Sequence, residues 1–318
     1  MKKVILITGC CGQVGSQIYN YLVLHQKAKV IASDIKLNAD QFKIYEQVNV
    51  VDYQSILGVV RRHKVTEIYH LAAILSSAGE KDIERAWKTN INGLLNILNI
   101  CRDEKVSKLF FPSSIAVFGG EIKNKIATQT QVLTPTTMYG VSKAAGENLC
   151  NYYFHKFGVD VRSIRYPGII GPQLNIGGGT TDYAVEIFHS ALGSGEFSCF
   201  LSSDTILPMI YIEDAIKATV NIMQAPAKNI KIRTSYNLAG FSFSPQMISA
   251  EIKKIIPEFV INYAPDHRQA IADSWPRYIN DEEAKKDWNW SHSFNLQLMV
   301  ETIIDEIKSY DYQNSNIA

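Results

Sequence analysis

Near its beginning the chain reads Val4-Ile5-Leu6-Ile7-Thr8-Gly9-Cys10-Cys11-Gly12-Gln13-Val14-Gly15. An apolar run bounded by glycine predicts a buried parallel strand, and the apolar residues at Val14, Ile18 and Leu22 predict a helix behind it. Three glycines spaced G-x-x-G-x-x-G permit a tight turn and let the backbone approach a pyrophosphate at the helix N-terminus. The stretch therefore predicts a dinucleotide-binding loop whose contacts come from Gly9, Gly12, Gln13, Val14 and Gly15.

The second predicted strand indicates which dinucleotide this loop holds. Val30-Ile31-Ala32-Ser33 ends at Asp34, about 20 residues past the loop, where an acid accepts hydrogen bonds from the adenosine ribose hydroxyls. The same carboxylate would repel a 2′-phosphate, so we expect NAD rather than NADP. The alternative for Asp34 is a helix N-cap, which favours the same residue type.

Two further strands extend the predicted sheet. Residues 48–52, Val-Asn-Val-Val-Asp, are typical of a third strand, with Asp52 placed to meet the adenine amino group. Residues 67–73 form the fourth, and its small alanines would let the backbone pass close to the cofactor. We therefore add Asp52, Leu71, Ala72 and Ala73 to the expected cofactor-binding residues.

A tyrosine and a lysine further along the chain predict acid–base chemistry. Tyr139 and Lys143 are four residues apart in Tyr139-Gly140-Val141-Ser142-Lys143, so on a helix both lie on one face. A phenol has an unperturbed pKa of about 10 and is a poor base near neutral pH. A nearby ammonium favours the phenolate and lowers that pKa. The pair therefore predicts a general base, Tyr139, assisted by Lys143 and by the positive ring of an oxidised nicotinamide.

Taken together, these motifs and three others resemble the extended short-chain dehydrogenase/reductase superfamily. The others are Asn90-Ile91-Asn92-Gly93, Pro112-Ser113-Ser114-Ile115-Ala116-Val117-Phe118-Gly119 and Arg165-Tyr166-Pro167-Gly168. The resemblance implies that Ser114 hydrogen-bonds the reacting oxygen, Tyr139 is the acid/base and Lys143 holds the nicotinamide ribose. It also places Tyr166 in the cofactor site. Ser113 is the alternative for the serine role, although a structural hydrogen bond at the strand end suits it better.

Three later segments resemble the short-chain type of L-threonine 3-dehydrogenase. They are residues 177–187, 199–212 and 273–290, the last containing Asp273-Ser274-Trp275-Pro276. Lys285 and Asn289 depart from the pattern, where arginine and glycine are common. The resemblance implies NAD-dependent oxidation of the L-threonine 3-hydroxyl to 2-amino-3-oxobutanoate and NADH, a step of threonine catabolism.

The residues themselves are compatible with an amino-acid substrate. Glycine-rich backbone leading into Thr180 and Thr181 offers N–H and hydroxyl donors for a carboxylate, and Asp182 could pair with the ammonium group. Ser76 follows the fourth strand, at the end of the sheet where ligands bind. The alternative for Thr180-Thr181-Asp182 is an ordinary helix start, where such residues cap exposed N–H groups.

Composition excludes several other classes of protein. The chain has 318 residues, a net charge of +1, 46% hydrophobic and 20% charged residues, which is typical of a globular protein without a nucleic-acid partner. No apolar run reaches the roughly 18 residues of a membrane span. The five cysteines show no metal-ligand spacing, so no metal is expected and a reduced, cytoplasmic protein is predicted. Relatives in the resembled superfamily often dimerise, which implies a homodimer here.

Alternating strands and helices up to Arg165 predict an α/β fold, a doubly wound parallel sheet of Rossmann type, with a smaller C-terminal α/β lobe for the substrate. We expect the NAD-binding domain at residues 1–168, with 205–238 returning to it. The substrate-binding lobe would comprise 169–204 and 239–318. Two rival functions remain at this stage: a nucleotide-sugar epimerase or dehydratase, and a non-catalytic NAD-binding sensor.

Overall fold

A computed structural model describes residues 3–37, 39–119, 122, 125–173 and 179–315. The strands are β1 Val4–Thr8, β2 Lys29–Asp34, β3 Tyr45–Gln47, β4 Glu67–His70, β5 Lys108–Ser114, β6 Ile126–Ala127, β7 Val161–Tyr166, β8 Gly168–Ile170, β9 Glu196–Cys199, β10 Leu207–Tyr211, β11 Tyr236–Asn237, β12 Phe241–Phe243, β13 Val260–Tyr263 and β14 Tyr278–Ile279. The α-helices are α1 Gln13–His25, α2 Tyr53–His63, α3 Ser76–Lys81, α4 Ile83–Trp87, α5 Gly93–Asp103, α6 Met138–Phe157, α7 Tyr183–Gly193, α8 Ile212–Gln224, α9 Pro245–Ile255, α10 Arg268–Ser274, α11 Glu282–Trp288 and α12 Leu296–Ser315.

The main sheet has seven parallel strands in the order β11-β7-β5-β4-β1-β2-β3. Strand order therefore reverses between β1 and β4, which are hydrogen-bonded neighbours with Leu6 facing Ile68. In sheets of this kind a crevice opens at the reversal point, outside the carboxyl ends of the strands. The predicted doubly wound parallel sheet is confirmed, and its topology places a ligand cleft after β1 and β4.

Both faces of this sheet are covered by helices, which explains why the Val4–Ile7 part of β1 is apolar on both sides. Along β1, Ile5 and Ile7 pack into one hydrophobic cluster with α1 and α8, whereas Leu6 packs into the other with α2 and α5. Side chains alternate between faces along a strand, so a strand buried on both sides has no polar face. The unbroken Val4–Ile7 run follows from this arrangement.

The third strand is not where the sequence predicted it. β3 is Tyr45–Gln47, and residues 48–52 leave the sheet to enter α2. The Asp52 carboxylate accepts hydrogen bonds from the backbone N–H groups of Gln54 and Ser55. An aspartate at this position satisfies N–H groups that the first helical turn cannot pair. Residues 48–52, whose valines predicted a strand, therefore lead into α2 instead.

The later part of the chain adds three small sheets, β12-β10-β8, β13-β9 and β14-β6. Within residues 205–238, β10 joins β8 and β12, α8 packs against β5 and β7, and β11 extends the edge of the main sheet beside β7. The division into a cofactor domain and a substrate lobe stays a prediction. Among the described residues, no helix has both the length and the apolar character needed to cross a membrane.

Candidate active site

The glycine loop joins β1 to α1 and packs directly against the residues that follow β4. Gly9 has φ +73°, and a Cβ there would lie 2.6 Å from the backbone nitrogen of Ala72. A Cβ on Gly15 would overlap the Gly9 carbonyl oxygen. Gly12, in contrast, has only that oxygen at 3.4 Å and otherwise open space. Gly9 and Gly15 are thus required by the fold, while Gly12 leaves the α1 N-terminus open to a ligand.

Asp34 lies at the carboxyl end of β2, beside this loop. Its Oδ2 accepts a hydrogen bond from the Cys11 N–H at 3.0 Å, and its Oδ1 accepts one from the Ile35 N–H at 2.8 Å. It is not a helix N-cap, because β2 runs into a turn rather than a helix. A cavity of about 520 Å³ adjoins it, lined by Gly9, Gly12, Gln13, Val14, Gly15, Asp34, Leu71, Ala72 and Ala73 among others.

Two other predicted cofactor residues hydrogen-bond within the protein. Asp52 is not among the residues that line either cavity described here, and its carboxylate caps α2. Tyr166 lines the neighbouring cavity, and its hydroxyl hydrogen-bonds the Thr219 hydroxyl. The chain also contributes residues that the sequence did not indicate, namely Ile74, Leu75, Arg85, Lys88 and Thr89. Ile74 and Leu75 follow β4, Arg85 lies in α4, and Lys88 and Thr89 begin a π-helical segment at Lys88–Asn92. No sequence motif indicated these positions.

Ser114, Tyr139 and Lys143 meet in the neighbouring cavity, which measures about 600 Å³. Tyr139 and Lys143 share one face of α6, and Ser114 ends β5. The Lys143 ammonium donates a hydrogen bond to the Pro112 carbonyl at 2.7 Å and lies 5.5 Å from the centre of the Tyr139 ring. Ser113 points away, donating to the buried Glu147 carboxylate at 2.5 Å. The geometry thus favours Ser114 over Ser113 for contact with a ligand.

Burial shifts the pKa values of two members of this group. Burial raises the pKa of Tyr139 to about 12, against a smaller lowering by its hydrogen bond with Ser114. Burial also lowers the pKa of Lys143 to about 8. In the protein alone, the desolvation of the phenolate is the largest effect on the pKa of Tyr139. The lowering of this pKa by Lys143 together with the positive nicotinamide ring stays a prediction.

The far wall of the larger cavity comes from the start of α7 and from Trp275. Thr180, Thr181 and Asp182 line it, together with Ser76 at the start of α3. The Asp182 carboxylate accepts a hydrogen bond from the Gly179 N–H at 2.7 Å, which folds the end of the glycine run back toward the helix. Gly177 and Gly178, to which we also assigned donors for a substrate carboxylate, lie outside the described residues.

The two cavities form one cleft across the carboxyl ends of β1, β4 and β5. They share six lining residues: Gly12, Gln13, Val14, Leu71, Ala73 and Leu75. Asp34 is at one end of this cleft, the open helix N-terminus at its middle, and Ser114 with Tyr139 at the other. An extended dinucleotide has a ribose, a pyrophosphate and a reactive ring in that order, so the residues present fit it.

Comparison with known proteins agrees with this geometry. A model of the NAD dependent epimerase/dehydratase family matches residues 5–239. The chain belongs to this family. NAD is accordingly its cofactor.

Its relatives are more specific. Mitochondrial L-threonine 3-dehydrogenase from Bos taurus is 40% identical over 306 residues, covering 95% of this chain and 82% of the relative. A solved structure of a GalE-like L-threonine dehydrogenase from Cupriavidus necator, in its holo form, is 44% identical with a TM-score of 0.91, covering 95% and 99% of the two chains. L-threonine dehydrogenase from Clostridium difficile is 40% identical with a TM-score of 0.93 and 98% coverage of both chains. The resemblance to threonine dehydrogenases extends over nearly the full chain.

Proposed function

We propose that this family member is an NAD-dependent L-threonine 3-dehydrogenase, which converts L-threonine to 2-amino-3-oxobutanoate and produces NADH. The observation that carries the proposal is that two sets of residues line the same cavity. Ser114, Tyr139 and Lys143 supply hydroxyl-oxidation chemistry, and Thr181 and Asp182 supply polar groups for an amino acid. The similarity to threonine dehydrogenases along both the cofactor and the substrate segments supports the same substrate.

In this mechanism Tyr139 removes the proton of the substrate hydroxyl as a general base. Ser114 holds the same oxygen through its hydroxyl and stabilises the developing carbonyl. Lys143 contributes its positive charge and, fixed by the Pro112 carbonyl, keeps its stem along the Tyr139 ring. NAD⁺, when bound, supplies the hydride acceptor and a positive ring that favours the phenolate. This added charge acts against the burial that raises the pKa of Tyr139 in the protein alone.

The opposite wall of the cavity would recognise the amino-acid part of the substrate. Thr180 and Thr181 precede α7, where exposed N–H groups and hydroxyls can donate to a carboxylate. Asp182, held against Gly179, presents negative charge toward an ammonium group. Ser76 at the start of α3 adds a hydroxyl, and the Trp275 ring bounds the space left for a methyl group. We propose these four polar residues as the substrate-binding set.

The experiment that tests the function is an absorbance assay for NADH with purified protein, NAD⁺ and L-threonine. We expect turnover with L-threonine to exceed that with L-serine, L-allo-threonine or a simple secondary alcohol. Thermal unfolding gives an independent measurement, because a ligand that binds only the native state raises the melting temperature. Stabilisation by a UDP-sugar, without turnover of threonine, would instead indicate an epimerase or dehydratase. NAD binding without turnover of any of these substrates would indicate a sensor.

The Asp34→Ala variant should narrow the preference for NAD over NADP. A hydrogen bond to a charged group contributes about 1.5–3 kcal/mol, so we expect kcat/KM with NAD to fall roughly tenfold or more. The variant also loses the hydrogen bond from the Cys11 N–H to Asp34, and a looser loop would weaken the binding of NAD and NADP alike. The ratio of kcat/KM with NAD to kcat/KM with NADP therefore measures the ribose interaction alone. Asp40→Ala, at an exposed position nearby, is the control. If the ratio of kcat/KM with NAD to kcat/KM with NADP is unchanged, Asp34 does not bind the ribose.

For Asp182 the informative variant is Asp182→Asn, which keeps an oxygen to accept the Gly179 N–H while removing the charge. We expect the KM for threonine to rise about tenfold, in line with the loss of a charge-assisted hydrogen bond, with the KM for NAD unchanged. Glu186→Gln, one turn further along α7, serves as the matched control. A parallel rise in both KM values would mean that Asp182 only shapes the loop.

We also propose that the protein is a cytoplasmic homodimer with its cofactor domain at residues 1–168, joined by 205–238. The remaining residues, 169–204 and 239–318, would form the substrate lobe. Support for a dimer comes from α6, which leaves Tyr152 and Phe157 at 53% and 40% exposure. Light scattering coupled to gel filtration measures the mass, and a mass of one chain at micromolar concentration would contradict the dimer.

A further inference from the structure

Three side chains of types that can bind a metal ion converge at the glycine loop, where Asp34 lines one cavity of the cleft and Cys11 lines the other. The ligand atoms of Cys10, Cys11 and Asp34 all lie within 4.8 Å of one another. The two Sγ atoms are 3.9 Å apart, and Asp34 is held in place by the Cys11 N–H. The sequence did not indicate this cluster, because its third member is on the next strand.

The spacing of the two sulfur atoms matches that of two thiolates on one tetrahedral zinc ion. With Zn–S bonds of about 2.3 Å and a tetrahedral angle, two thiolates are about 3.8 Å apart. The observed 3.9 Å needs almost no adjustment, whereas a disulfide would require the sulfur atoms to approach to about 2.05 Å. Adjacent thiols at this separation are therefore better placed to share a metal ion than to oxidise to each other.

We propose that Cys10, Cys11 and Asp34 form an inhibitory Zn²⁺ site that excludes NAD from the glycine loop. Two thiol groups and one carboxylate bind Zn²⁺ with release of two protons, which leaves the three-ligand site with a net charge of −1. Water takes the fourth position, as in zinc sites with three protein ligands. Two sulfur ligands select a thiophilic cation over Mg²⁺ or Ca²⁺, which prefer oxygen.

The electrostatics of the loop favour a cation at this point. The Asp34 carboxylate brings negative charge beside the two Sγ atoms, and the three ligand atoms lie within 4.8 Å of one another. The same carboxylate that opposes two bare thiolates attracts a divalent ion, whose charge offsets theirs. Cys11 lines the larger cavity, so the ion can reach the cluster from the cleft without opening the core.

Zn²⁺ and NAD would compete because both would bind Asp34, Zn²⁺ as a ligand and NAD through its ribose hydroxyls. This step rests on the proposed role of Asp34 at the ribose. A carboxylate oxygen bound to zinc has given a lone pair to the ion, so Asp34 would have fewer acceptor sites for ribose hydroxyls. The ion and its water would also occupy the space beside this carboxylate where the ribose would lie. Zn²⁺ should therefore raise the apparent Kd of NAD, and NAD should weaken the binding of Zn²⁺ reciprocally.

Calorimetric titration of the purified protein with ZnCl₂, in the absence of threonine, tests the site directly. We expect one ion per chain, reversal by EDTA, and a weaker apparent affinity for zinc at saturating NAD. Titration with CoCl₂ should give the intense thiolate-to-metal absorption of a sulfur-ligated tetrahedral ion. Because neither readout needs turnover, a failed dehydrogenase assay would leave the result on zinc intact.

Variants assign the ligands. Cys10→Ser and Cys11→Ser should each weaken zinc binding by more than the roughly 10–100-fold that the loss of an outer-shell partner costs. Cys101→Ser, at a buried thiol in α5, should leave the affinity unchanged. Absence of zinc binding, a cobalt spectrum without thiolate absorption, or equal losses in all three variants would overturn the site. Zinc binding that NAD does not weaken would overturn the proposed exclusion of the cofactor. The cobalt spectrum of the unaltered protein decides the matter if a serine variant fails to fold.

Discussion

Tyr139→Phe is expected to lower kcat for threonine oxidation by about 10²–10⁴-fold, the usual contribution of a general acid–base group. The variant keeps the ring and loses only the hydroxyl that accepts the substrate proton. Because Tyr139 lies at the far end of the cleft from Asp34, we expect NAD affinity to be nearly unchanged. Steady-state kinetics and a separate titration with NAD measure the two quantities.

The control for this variant is Tyr152→Phe, on the same helix but 53% exposed, which should retain full activity. Dependence on pH gives a second readout. A buried phenol whose pKa is raised to about 12 is protonated at neutral pH, so the rate in the unaltered enzyme should rise with pH. The residual rate of the Tyr139→Phe variant should not increase with pH in this way. Equal loss of NAD binding and turnover would make Tyr139 a structural residue.

Glu147→Gln should give the largest loss of stability among the substitutions considered. The Glu147 carboxylate binds the Arg165 guanidinium through two hydrogen bonds, of 2.9 and 2.7 Å, and both side chains are almost completely buried. Removing one member of a buried ion pair leaves the other charge uncompensated and costs about 3–5 kcal/mol of the free energy of unfolding. The variant also weakens the hydrogen bond from Ser113 at the end of β5.

Urea unfolding at equilibrium measures the effect, with Glu251→Gln as the matched control. Glu251 pairs with Lys254 on the surface, where the lysine is 63% exposed, and such pairs contribute about 0–1 kcal/mol. A similar small loss in both variants would mean that Arg165 is adequately solvated or held by Asn237 and Gln129 alone. That outcome would contradict the proposed importance of the buried pair.

The predicted glycine loop and the shared helix face of the Tyr–Lys pair rest on geometry that is visible along the sequence. A Cβ on Gly15 would meet backbone atoms of Gly9 and Cys10, a few residues away, whereas a Cβ on Gly9 would meet the backbone of Leu71 and Ala72 after β4. Tyr139 and Lys143 share a helix face because of the helical repeat. The third strand was misplaced for a related reason, since valines favour a strand while Asp52 favours a helix start.

Contacts between residues far apart in the chain could not be predicted from the sequence in this way. The residues at 74–75 and 85–89 enter the cleft only because the chain after β4 turns across it. Glu147 is paired by Arg165 from a strand 18 residues later, and the thiols of Cys10 and Cys11 meet Asp34 from a neighbouring strand. Neither periodicity nor residue spacing along the chain predicts these contacts.

The amino-acid sequence by itself determined the sheet, the glycine loop and the shared helix face of Tyr139 and Lys143, because strand period, helical repeat and glycine geometry act over a few residues. The tertiary structure alone decided how deeply each of these side chains is buried and which groups it contacts. Desolvation depends on every atom packed around a group, so the sequence did not show that burial raises the pKa of Tyr139 in the protein alone. The hydrogen bonds from Gln54 and Ser55 to Asp52 likewise became evident only in the structure.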